Sequence, residues 1–283
     1  MTVEWVPFGL DQDEIADYGV LVPGVPTWLS EPLIGYVDSY LVDHPYYRVS
    51  KCLDIQLHTR VDLGVPTGQS YVHKDPVLNA LRRLEDVQLL RVVDYVAAVT
   101  APTHTSQEAL QLESLLKSGR SKWTPGDRGG RVGLIERVPE GVQASVEGVI
   151  ASSGSAGRIL ARAWAHVHGL QPNDSAGYAD AVRAVEIAAI EVVQLSNKSA
   201  TLGTVINQMR DQGDWRLPLR EHVHAPSADL LLTTTRTLWH GHRDRHGSAD
   251  YSDVTHDEAR SAVALAATLV DWFISGAVAR RAT

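Results

Sequence analysis

The chain has 283 residues, 44% of them hydrophobic, and a formal net charge of −8, so it can bury a substantial core but carries no general basic field for holding long nucleic acid. One cysteine, Cys52, excludes an internal disulfide and a cysteine-rich zinc site. The start, Met1 to Pro7, lacks a basic and apolar leader, and no apolar run reaches membrane-spanning length, so the expectation is a cytoplasmic protein without a membrane partner.

In chain order, residues up to about Leu33 are rich in proline and tryptophan (Pro7, Pro23, Pro26, Pro32) and read as an irregular arm. Helical spacing begins at Ile34 to Leu41. Asp75-Pro76 reads as a cap followed by first-turn proline, ahead of Val77, Leu78, Leu81 and Leu84. Val87 to Val99 suits a strand or a buried helix and is taken as helix. Ser106 to Lys117 is a further helix, stopped at Gly119. Trp123 to Gly130 is a turn cluster, and Val132 to Val138 the second strand of a small hairpin. Its glycines lack the lysine and the spacing of a phosphate-binding loop.

Ser152 to Gly157 reads as a linker, which divides the chain into 1–150, a mostly helical sensing or interaction domain with a hairpin near 121–142, and 157–283, a helical domain. In the second part Ile159, Leu160, Ala163, Trp164 and Val167 line one helical face. Pro172 to Ser175 caps a helix over Tyr178 to Gln194, followed by helices at Ala200 to Arg210 and Ser227 to about His242. Thr255-His256-Asp257-Glu258 is a capping box opening the last helix, with Ala259, Val263, Ala266, Val270 and Phe273 inward. The predicted class is mainly α.

Chemistry concentrates between Leu238 and Gly247, where His240, His242 and His246 alternate with Arg243, Asp244 and Arg245. Imidazole changes charge or binds metal near neutral pH, which opens four readings. A metal site from His242 and His246, four apart, lacks a third ligand, and no metal or other cofactor is assigned. In metal-free RNA cleavage His242 or His246 takes the ribose proton while Arg236, with Arg245, stabilises phosphate charge. In recognition without cleavage, Arg243, Arg245 and His240 hold an anionic partner, with Glu186 of an apolar helix facing the cluster. In the fourth, the segment only terminates two helices, and Gly247 supplies the left-handed residue.

Ala163-Trp164, Ala181 to Glu186, Ala200 to Gly203, and Arg245-His246-Gly247 followed by Ala259, Ala262, Val263 and Ala266 to Val270 resemble, in order and spacing, the C-terminal domain of abortive-infection proteins. That domain is a HEPN-like helical bundle, and proteins of actinobacteria and their phages look similar over a longer stretch that includes the Trp123 hairpin. The resemblance implies a homodimer with Arg and His of two subunits across one groove, a role in phage defence or phage–host conflict, and RNA, or a host or phage protein, as partner. Where the family carries an arginine upstream of its His-Gly, this chain has Leu238, Trp239 and His240. Either Arg236 with His242 is the working pair, or Arg245-His246 serves a non-hydrolytic role.

Overall fold

The computed structural model describes residues 9, 20–43, 46–66, 68–128, 130–193, 199–242 and 253–280. They are mainly helical, with eleven helices and three small antiparallel sheets among the described residues. The chain divides into two compact units between Arg137 and Val138.

In the first unit, α1 (Thr27–Leu41) is followed by β1 (Val42–Asp43), β2 (Tyr46–Arg48) and α2 (Val49–Thr59). Next come β3 (Tyr71–His73), α3 (Lys74–Leu81), α4 (Asp86–Thr100), α5 (Gln107–Ser118), β4 (Trp123–Asp127) and β5 (Val132–Glu136). α1 corrects the expected irregular arm. Leu29, Leu33, Val37 and Leu41, one turn apart, are all buried, and that apolar stripe keeps the segment helical although Pro32 lies inside it. α3 begins at Lys74 rather than behind an Asp75 cap, because the His73 ring accepts the Asp75 amide. α4 is the centre of the unit and packs against α1, α2, α5 and β5. The hairpin is longer than expected on its first side, since Trp123 to Asp127 pairs residue for residue with Glu136 to Val132. It is fastened to α4 through Asp94, which accepts the Leu134 amide at 2.6 Å and faces Arg128 at 3.2 Å.

The second unit holds α6 (Glu140–Ser152), α7 (Gly154–His168), α8 (Asp174–Val193), α9 (Leu202–Gln212), β6 (Trp215–Arg216), α10 (Ser227–Gly241), α11 (His256–Ile274) and β7 (Ala279–Arg280). α8 is buried nearly all round, and its run of Gly177, Ala181, Ala184, Ala188 and Ala189 lets α7, α9 and α11 pack close to it. Ser152 to Gly157 is a helix corner, not a linker: Ser153 is the single residue between α6 and α7. A Cβ on Gly157 would fall 2.2 Å from the Ile150 carbonyl oxygen, so the backbones of α6 and α7 meet where only glycine fits. α6 therefore belongs to this unit, with Val146 and Val149 in its core, and the division falls before it instead of at the Ser-Gly stretch. The Thr255 capping box forms as expected, Glu258 accepting the Thr255 amide at 2.9 Å.

Candidate functional site

α10 buries Leu231, Thr235 and Leu238 along one stripe and carries the candidate chemistry on the rest of its surface. Arg236, half-buried, and His240, exposed, are four residues apart and so share a face. His242, the residue that ends the helix, does not continue that face. It lies flat on Tyr178 of α8, ring centroids 5.5 Å apart and planes within 9°. Tyr178 in turn donates its hydroxyl to the Leu238 carbonyl at 3.1 Å, serving one of the last-turn carbonyls that a helix leaves exposed at its end.

Gly241 is what allows this approach, because a Cβ there would lie 2.2 Å from the Tyr178 hydroxyl oxygen. Beside the stack is a groove of about 370 Å³, walled by Tyr178, Leu238 and Gly241 on one side and by Asp257, Glu258 and Ser261 of α11 on the other. Its charged groups are the carboxylates of Asp257 and Glu258 at the first turn of a helix, where the amide dipoles favour negative charge, beside the hydroxyls of Tyr178, Thr237 and Ser261. His256, the one downstream histidine available as a further metal ligand, is turned to Asp174, Nδ1 to Oδ1 at 2.9 Å.

Glu186 has a different task from the one its position suggested. Its Oε2 accepts the Leu202 amide at 2.8 Å and closes the first turn of α9, beside the Thr201 cap. His246, Arg243 and Arg245 lie outside the described residues. The structure thus places Arg236 and His240 on one face of α10 and sets His242 on Tyr178, a partner that sequence reasoning missed. A tyrosine in the first turns of an apolar helix carries no local sign that it will meet a histidine from another helix.

The chain matches no protein-family model, no curated protein and no solved structure. Among the described residues no group of three or more His, Cys, Asp or Glu is placed to hold a metal ion. Cys52 is fully buried, and burial pushes its thiol up to about 11, which keeps it protonated and unreactive at neutral pH. No described helix is long and apolar enough to cross a membrane.

Proposed function

We propose that the second unit acts on RNA at the end of α10, as a metal-independent ribonuclease of phage–host conflict working as a homodimer. The observation that supports it is the Tyr178–His242 stack, which fixes the plane of an imidazole one turn and a half beyond a half-buried arginine. His242 takes the proton of a ribose 2′-hydroxyl, and the 2′-oxygen bonds to the adjacent phosphorus. The bond from phosphorus to the 5′-oxygen breaks, and that oxygen leaves as a hydroxyl on taking a proton from solvent water, while His242 returns its proton to solvent, which gives a 2′,3′-cyclic phosphate. Arg236 and His240 offset the charge that builds on the phosphate oxygens.

Incubation of the full chain with end-labelled transfer and ribosomal RNA, with and without chelator, tests this. Cleavage that resists chelator and falls by at least about 100-fold in His242→Ala supports the proposal. Intact RNA with the folded wild-type protein, or equal cleavage by His242→Ala, overturns it.

One observation favours a second reading, non-enzymatic binding of a host or phage protein. Asp257 and Glu258 line the groove beside the stack, and a basic peptide suits that wall better than a phosphate does.

A further inference from the structure

The three-stranded sheet of the first unit turns four side chains of unusual kind toward water. β2 and β3 pair antiparallel with Tyr46 opposite His73 and Arg48 opposite Tyr71. Tyr47 and Val72, the alternate residues, point into the core, so the other four share the outer face. Tyr46 is 46% exposed and Tyr71 47% exposed. The Tyr46 ring meets the His73 imidazole edge to face, centroids 5.9 Å apart. Two tyrosines on the wet side of a sheet this small leave apolar ring surface uncovered.

A cavity of about 400 Å³ opens beside the Arg48–Tyr71 pair, lined by Arg48, Ser50, Leu53, Gln69, Ser70 and Tyr71. Its rim is held by the Val49 amide, which donates to the Ser70 carbonyl at 3.1 Å. The lining joins an aromatic face, a guanidinium, two hydroxyls and a carboxamide, the groups that recognise a planar base by stacking and by hydrogen bonds to its edge. Tyr46 and Tyr71 are diagonal neighbours in this register, roughly 7–8 Å apart on such a sheet, a span that successive nucleotides can bridge.

We propose that this face binds an unpaired stretch of nucleic acid, one base on Tyr71 in the cavity, the next on Tyr46, and Arg48 against the phosphate between them. Charge selects the strand type. Of the four outward side chains, Arg48 carries the guanidinium, and His73 Nδ1 is taken up by the Asp75 amide, which donates to it at 3.4 Å. In a chain of net charge −8, a single arginine is too little to hold a duplex by its backbone but enough for a strand held mainly by stacking. The platform shares no residue with the end of α10 and stands whether or not that end cuts RNA.

Fluorescence anisotropy of the full chain with labelled oligothymidine, oligouridine and a duplex of mixed sequence tests the proposal. Oligothymidine has no 2′-hydroxyl, so its binding is read independently of cleavage. Single strands are expected to bind more tightly than the duplex. Tyr71→Ala is expected to weaken binding about tenfold, and Tyr71→Phe, which keeps the stacking face, to stay within about twofold of wild type. Melting curves of both variants confirm that the fold persists. Tyr71→Ala at wild-type affinity, a duplex bound as tightly as the single strands, or no binding by the folded wild-type chain overturns it.

Discussion

Arg162 of α7 holds Asp180 of α8 with both arms of its guanidinium, Nε to Oδ2 and Nη2 to Oδ1, each at 2.5 Å. Asp180 is 6% exposed, while the side chain of Arg162, its partner, is about half exposed. His166 and Arg183 stand 3.7 and 3.8 Å from the same carboxylate, so one buried anion organises three basic side chains on two neighbouring helices. A pair of this geometry fixes how α7 lies on α8 more firmly than apolar contact alone, because a fork accepts little sliding.

Arg162→Ala is expected to destabilise the second unit by about 2 kcal/mol, less than for a fully buried pair because His166 and Arg183 remain near the carboxylate. Urea unfolding followed by circular dichroism measures it. A change under about 0.5 kcal/mol would place the pair among ordinary surface bridges.

Two glycines, one at the α6–α7 corner and one within α6, are expected to respond in opposite directions. Gly157→Ala drives a Cβ into the Ile150 carbonyl and is expected to cost roughly 2 kcal/mol or more, since backbone rather than a side chain must yield. Gly148→Ala, in α6 with nothing within 4 Å of the new methyl, is expected to gain about 0.5–1 kcal/mol from helix propensity. Thermal unfolding of both variants gives the comparison.

Glu186→Ala is expected to cost about 1 kcal/mol by orphaning the Leu202 amide, and Glu186→Gln, which keeps an acceptor oxygen, to recover most of it. RNA binding by the glutamine variant is expected to equal that of wild type. A specific loss of binding at unchanged melting temperature would return Glu186 to the ligand.

Burial raises the Asp94 carboxyl above its ordinary value of 3.8, against the pull of Arg128 and the Leu134 amide. Below 3.8 both folded and unfolded chains hold this proton. As pH climbs past that value the unfolded chain releases it first, the folded chain binds more protons, and stability falls until the raised folded value is passed. Asp94→Asn keeps an acceptor for Leu134 and does not titrate. Its stability relative to wild type is therefore expected to improve as pH rises from below 3.8 until the raised folded value is passed, and to level off beyond it, measured by urea midpoints across the acid range.

Elements with strong local signals were legible from sequence. Ser106 and Gly119 bound α5 as cap and stop, and Thr255 with Glu258 opens α11 as a reciprocal cap. β2 and β3 were missed, because an alternation three residues long has too few positions to stand out from a loop. Pro32 was read as a breaker when the apolar stripe of α1 overrides it, and Ser153-Gly154 as a linker when it is a corner closed by packing at Gly157. Of the candidate site, the helix that carries Arg236 and His240 was legible as Ser227 to about His242, whereas their shared face was not read. The seating of His242 on Tyr178 joins residues 64 positions apart and depends on how α8 and α10 pack, which local pattern does not encode.

The pairing of β6 with β7 sets an order on folding. Trp215 lies opposite Arg280, and Arg280 Nε reaches Asp214 Oδ2 at 2.7 Å across 66 positions of chain. Closing so long a loop costs entropy before a two-residue ladder gives anything back, whereas the helix pairs α6–α7 and α7–α8 close over short corners. The helices of the second unit should assemble first and β7 should close last. In native-state hydrogen exchange, that makes the β6–β7 amides the first of the unit's paired backbone to open, ahead of the α8 amides at its centre.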